Sequence, residues 1–232
     1  MGADQIKIMA SGGAMSPSDE LDTTQYTVEE MRAAVEEARA VGKYALAHAY
    51  SGAAIRAAVA AGVRCIEHGN LLDEAGARAI READAYLVPT MVTYEAISRE
   101  GKTHGLSAHQ IAKIEQARER SLEGLAHAYR AGCRIGSGSD LLGDMAAYRA
   151  MELPLKAQVM TTMEVLRSAT AVNAEIFGMA DRIGTVEPGK YADLLVVDGN
   201  PLEDLGLFQD QGAHLSVVMQ GGRLHKNRLP AA

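Results

Sequence analysis

Four residues stand where short apolar runs give way to small or glycine-rich segments: Lys7, His48, His68 and Asp140. The runs read QIKIMASGG, YALAHAY, RCIEHGN and CRIGSGSD. Parallel strands with helices between them present side chains at the carboxyl edge of their sheet, so these are positions where chemistry is done. His48 and His68 are 20 residues apart, one compact strand–helix–strand step. Such a step puts them at the ends of adjacent strands, about 5 Å apart. Two imidazoles there can share one metal ion. Each can equally be a core histidine held by a hydrogen bond. Matched strand ends, with Lys7 and Asp140 at two more, favour the metal reading. His48, His68 and Lys7 are expected to converge on one site.

Lys7 lies between Ile6 and Ile8 in an apolar run. A lysine in that setting costs free energy unless it is paired or modified. One solution is an ammonium paired with an acid at the strand end. Another is a carbamate formed with carbon dioxide, whose oxygens can bridge two metals. The carbamate needs a neutral amine, which desolvation favours. Asp140 can bind metal and take a proton from a metal-activated water, whose pKa a metal lowers to ~7. It can also cap a helix starting at Leu141. Tyr50 follows His48 by two residues and shares its face by strand alternation. It can donate to a substrate oxygen or simply pack. His104 and His109 lie in or beside a long connection, a candidate lid, or are plain exposed histidines. Ser11-Gly-Gly is not a phosphate loop, because no Gly-Lys-Ser/Thr follows.

The elements that must position these residues alternate. Strands are expected over residues 5–10, 44–49, 63–67, 85–88 and 134–137. Helices are expected over 27–41, opened by the capping box Thr27-Val-Glu-Glu30, and over 51–61 and 72–83. Residues 90–106 read as a mixed connection, and Ser107-Ala-His-Gln110 as a capping box opening a helix to about Ala131. This alternation implies an α/β fold with a parallel sheet. Residues 145–180 read as helical, broken near Pro154 and Thr161. Beyond Gly184 the pattern changes to strands, ending in a hairpin at Gly221-Gly222.

Bulk properties exclude several classes. With a net charge of −7 and a pI near 5.5, nucleic acid is not the expected partner. No apolar run approaches the ~20 residues of a membrane span, so no membrane partner is expected. No signal peptide is visible at Met1, and with an upstream targeting segment left open the cytoplasm is favoured. Cys65 and Cys133 are the only cysteines, far apart and each on an apolar run, and read as reduced packing residues.

Together these motifs resemble the amidohydrolase superfamily, in the branch of imidazolonepropionase-like proteins, Xaa-Pro dipeptidases and related N-acyl amino acid hydrolases. KIMASGG looks like the strand-four segment with the carbamylated lysine. AHAY and IEHGN look like the strand-five and strand-six metal ligands, and GSGSDLLG like the strand-eight aspartate. MEVLRSATAVNAEIFGM and IGTVEPGKYADLLVVDGNPLEDL resemble the closing helices and the return to a small β domain. The resemblance implies strands four to eight of a partial (β/α)8 TIM-type barrel over residues 1–180, and the C-terminal part of a small β-sandwich domain over residues 181–232.

By the same resemblance, Lys7 as a carbamate, His48 and His68 would hold one divalent metal. Asp140 and a share of the carbamate would help hold another. Zinc is favoured by two imidazoles with oxygen ligands. The family's strand-one His-x-His is found nowhere in this sequence. The implied activity is hydrolysis of an amide bond in a dipeptide-like or N-acyl amino acid substrate by metal-bound hydroxide. Asp140 would move the proton and Tyr50 would hold an oxyanion or a substrate carboxylate. Alternatives are a non-catalytic fragment needing a complementary N-terminal part, and a cyclic amidase or deaminase of the same superfamily. An open slice of barrel leaves raw strand edges, so another chain or a second copy is expected to cover them.

Overall fold

The computed structural model describes residues 2–100 and 105–230. By contacts the chain divides after Asp140 into two compact units. This is earlier than the boundary at 180 suggested by the change in sequence character, because the helices of residues 143–176 group with the C-terminal sheet.

The first unit is an α/β layer. Five strands, β1 (Gln5–Met9), β2 (Tyr44–Ser51), β3 (Cys65–Leu71), β4 (Tyr86–Val88) and β5 (Arg134–Ile135), form a parallel sheet in sequential order. Helices α1 (Val28–Ala40), α2 (Gly52–Ala60) and α3 (Glu74–Glu82) make the first three crossovers. Both predicted capping boxes form. Thr27 caps α1 with Glu30 returning the bond, and Ser107 caps α5 (Ala108–Arg130) with Gln110. Strands β2 and β3 are almost wholly buried, while β1 is an edge strand with Ile6 37% and Met9 43% exposed.

The expected mixed connection after β4 is instead a helix, α4 (Met91–Glu100). Met91, Val92, Thr93, Tyr94, Ala96 and Ile97 are all buried in it, so only a narrow polar stripe, Glu95, Ser98 and Arg99, marks the helical period in the sequence. His104 lies outside the described residues. His109 sits in the first turn of α5, half exposed, and pairs with Glu20 at 3.3 Å.

α5 runs across the end of β3. The buried Asn70 donates through Nδ2 to the Ala117 carbonyl at 3.1 Å and to Ser121 Oγ at 2.7 Å. The approach is backbone to backbone: a Cβ added at Gly124 would lie 2.6 Å from the Gly69 carbonyl oxygen and 3.0 Å from that of Asn70. Only glycine allows that distance.

In the second unit, α6 (Glu152–Lys156), α7 (Thr162–Arg167) and α8 (Asn173–Ile176) accompany an antiparallel sheet of β6 (Leu194–Val197), β7 (Leu215–Gln220) and β8 (Arg223–Asn227). Near Pro154 the helical run changes type, a 3-10 helix over Gly143–Met151 giving way directly to α6, and a full interruption falls between Lys156 and Thr161. The β7–β8 hairpin forms as expected, with Gly221 and Gly222 both at positive φ.

Gly124→Ala is expected to cost ~1–3 kcal/mol, since α5 must lift off the end of β3. Urea unfolding should show a lower midpoint at unchanged slope; an unchanged midpoint would mean that the contact yields freely.

Candidate active site

The register of the sheet decides which side chains share a face. Lys7 lies beside Leu46, Leu46 beside Cys65, and Cys65 beside Tyr86. One step further up, Met9 lies beside His48, His48 beside Glu67, and Glu67 beside Val88. Side chains alternate along a strand, so Lys7, Met9, Leu46, His48, Tyr50, Cys65 and Glu67 belong to one face. His68 pairs with Ala49 and belongs by alternation to the other. The two histidines therefore do not occupy matched positions.

They meet all the same, because the backbone at His68 is left-handed (φ 79°), followed by Gly69 at φ 66°. The register also slips here, Ser51 opposing Leu71. This bulge swings His68 onto the His48 face, and the ring centroids lie 4.5 Å apart. A non-glycine residue in this region carries strain of ~1–2 kcal/mol, held in place by the surrounding packing.

Each ring has one nitrogen committed. His48 Nε2 lies 3.2 Å from the Gly12 carbonyl oxygen. A carbonyl only accepts, so Nε2 carries the proton and the Nδ1 lone pair is left open. His68 Nδ1 lies 2.8 Å from Thr90 Oγ1, which leaves its Nε2. Both rings are buried. Burial lowers the His48 pKa to about 4, the Gly12 bond opposing and the Lys7 charge adding to the fall. Burial pulls His68 well below the usual histidine range, helped by His48 and Lys7. Neutral imidazoles with one lone pair each are the form that ligates a metal.

Tyr50 is edge-on to His48 at 4.7 Å and stacks on His68 at 5.5 Å. Its Oη accepts from Tyr94 Oη at 2.8 Å and from the backbone of Ala14. With both lone pairs engaged, the Tyr50 proton is available to an incoming oxygen. Burial raises its pKa to about 12, keeping it a phenol.

The charge of Lys7 is felt by His48, His68, Glu67 and Asp140, so Lys7 lies among them. Its side chain is nevertheless exposed, because β1 is the edge strand. The desolvation expected from its apolar flanks is not supplied by this chain. Asp140 adopts φ 47°, and its carbonyl accepts from Thr93 Oγ1 at 2.9 Å. Nearby protein raises its carboxyl pKa, with Lys7 pulling the other way. Asp140 is not a helix cap, since the next helical turn starts from Leu142 without a side-chain cap. Among the described residues no three His, Cys, Asp or Glu side chains are arranged to hold a metal. The two imidazoles fit such an ion; the remaining ligand positions depend on Lys7.

Sequence reasoning missed Glu67, Thr90, Tyr94 and the segment Ser11–Ala14. Glu67 carried a signal: a carboxylate inside an apolar strand, next to a candidate ligand. Burial raises its pKa, while Cys65 and Lys7 oppose.

A parallel α/β sheet that brings two neutral histidines and a phenol together on one face is a candidate binding centre of the α/β class. The chain belongs to the amidohydrolase family, whose model matches residues 1–224. It is 32% identical to ochratoxinase of Aspergillus niger over 227 residues, 97% of this chain and 47% of that protein. A solved structure described as an amidohydrolase superposes with TM-score 0.96 at 49% identity, covering 99% of this chain and 56% of the other. A prolidase solved with N-methylphosphonate-L-proline gives TM-score 0.94 at 48% identity, covering 97% and 55%. The chain thus spans about half the length of the relatives it matches.

Two outcomes follow. His48 should titrate near 4 by NMR in metal-free protein, against 6.5 for an unhindered histidine. A lowered folded-state pKa means that its contribution to stability is complete above about pH 6.5 and is lost as pH falls through 4. A His48 midpoint near 6.5 would contradict the buried neutral ring. At the bulge, His68→Asn should be tolerated better than His68→Val by ~1 kcal/mol, since a β-branched residue resists positive φ. Equal melting temperatures would refute that strain.

Proposed function

We propose that this chain supplies the carboxyl half of the active site of a metal-dependent amidohydrolase cleaving an amide bond in a dipeptide-like or N-acyl amino acid substrate. The observation that carries this reading is the meeting of the two buried rings, each with one nitrogen left over, His48 Nδ1 and His68 Nε2, beside Tyr50 and on the face of Lys7. The ligand of the prolidase, a phosphonate analogue built on L-proline, supports an amide substrate bearing a carboxylate.

In this reading the sheet is strands four to eight of a (β/α)8 barrel. His48, His68 and a Lys7 carbamate would hold one divalent ion, zinc being favoured by the donor set. Bound there, the ion would polarise the scissile carbonyl and acidify a water. Tyr50 donates its proton to the developing oxyanion or to the substrate carboxylate. Asp140, its carboxyl pKa raised by the protein packed around it although the residue is exposed, would accept a proton and pass it to the leaving nitrogen.

The reading also calls for cover over β1. Ile6 and Met9 are exposed on that strand, and Lys7 with them. A further strand there, from a separate chain, a second copy or an upstream segment, would bury all three and supply the desolvation that a carbamate needs.

Metal analysis and intact mass of the purified chain test this. At most one metal per chain is expected, weakly held, with little amidase activity on N-acyl prolines until β1 is covered. His68→Ala should abolish the metal and Asp140→Ala should leave most of it. Retention of metal by His68→Ala, or two tightly held ions per chain, would overturn the ligand assignment.

A further inference from the structure

Lys113 is a charged residue outside the site, yet it is 2% exposed. It lies on α5, far in sequence from the loop that follows β1. Its Nζ donates to three backbone carbonyls of that loop: Gly13 at 3.1 Å, Ser16 at 2.6 Å and Asp19 at 2.6 Å. An ammonium has three protons, and each finds an oxygen. Two neighbours on α5 tie down the same loop, Gln110 through Met15 O at 2.7 Å and His109 through Glu20 at 3.3 Å.

The clamped segment is the one that touches the reacting groups. Ser11 Oγ accepts from the Tyr50 amide at 3.0 Å, Gly12 O accepts from His48 Nε2, and the Ala14 backbone bonds Tyr50 Oη. Gly13, held by Lys113, sits between Gly12 and Ala14. The loop is tight in its own right, because a Cβ at Gly12 would run into the Glu20 carbonyl. A peptide carbonyl can face either way in a free loop. An ammonium pulling on the Gly13 carbonyl restricts the orientation of the peptides on both sides of it.

We propose that Lys113 is a positioning residue: by clamping the loop after β1 through three carbonyls, it holds Gly12 O on His48 Nε2 and thereby fixes the His48 tautomer that leaves Nδ1 free. The functional value of that tautomer rests on the reading of His48 as a ligand through Nδ1. The tautomer itself is a property of the metal-free protein.

The test is the tautomer, read from the ring ¹⁵N shifts of His48 in metal-free protein at neutral pH. The parent should show the Nε2–H form almost exclusively. Lys113→Met should raise the Nδ1–H population at least threefold, and Lys113→Arg, which keeps a cation and N–H donors, should show a smaller rise. A role in packing alone would lower the melting temperature and leave the tautomer untouched. A folded Lys113→Met protein with the parental tautomer overturns the proposal. If Lys113→Met does not fold, Lys113→Gln, shorter and uncharged, is read in its place by the same criterion. If neither folds, Lys113 is a folding residue and the positioning role falls. Zinc titration of the same samples separates the two inferences: a tautomer shift without any change in zinc binding supports the clamp and counts against Nδ1 ligation.

Discussion

The period of two along a β-strand is the constraint on which this site depends. It places Lys7, His48, Tyr50 and Glu67 on one face without further help. It also sends His68 to the other face, among the helices. The site exists because the chain breaks its own alternation at one residue. The left-handed turn at His68 costs about as much as a good hydrogen bond contributes. What offsets it is visible nearby. Thr90 holds the turned ring, Gly69 accepts the second left-handed position, and Asn70 anchors the bulge to α5 through two hydrogen bonds. The close approach of Gly124 then leaves no room for the bulge to relax outward. Helix α5 therefore does two jobs with one surface: its middle presses on the end of β3, and its beginning grips the loop after β1.

Much of this was legible in the sequence. The two capping boxes, the parallel alternation and the final hairpin follow from patterns that local physics enforces, whereas Lys7, His48 and His68, expected at strand ends, lie inside β1, β2 and β3. The convergence of the histidines was inferred from matched positions, which the register does not support. The correct reason, a bulge, leaves only a faint trace: glycine following histidine in EHGN, a sequence equally suited to an ordinary strand end. The helix α4 was hidden for a different reason. Buried on most of its circumference, it shows only a narrow polar stripe at Glu95, Ser98 and Arg99, too short to set its period apart from a mixed connection. Lys113 was invisible because its partners are carbonyls about a hundred residues away, and backbone carbonyls have no sequence signature.

The state of Lys7 is where local sequence and tertiary context part. Flanked by Ile6 and Ile8, it reads as a buried lysine under pressure to lose its charge. In the fold it lies on an edge strand, and water reaches it. Burial of a lysine is a property of what lies on both sides of its strand, and among the described residues β1 has a strand neighbour on one side only. The two histidines differ in this respect. They sit on interior strands, each covered on both sides, and are dehydrated whether or not anything docks on β1. The imidazole half of the candidate centre is thus built by this chain, and the lysine half is conditional.

In the proposed reading that asymmetry orders the events of assembly. Two imidazoles and no third strong donor make a weak, open metal site, since tight zinc centres use three or four protein ligands. Dehydration of Lys7 by a strand laid against β1 favours the neutral amine, and a neutral amine can capture carbon dioxide. On that reading, the carbamate so formed would be an anionic oxygen donor joining the ring nitrogens that the Gly12 and Thr90 bonds leave over. In the proposed reading, then, cover of the edge comes first, the carbamate second and tight metal binding third. Each step raises the affinity of the next, so metal and whatever covers β1 stabilise one another by linkage. The positions of the histidines, by contrast, need none of these steps, because the bulge at His68 and the grip of α5 are complete within residues 5–140.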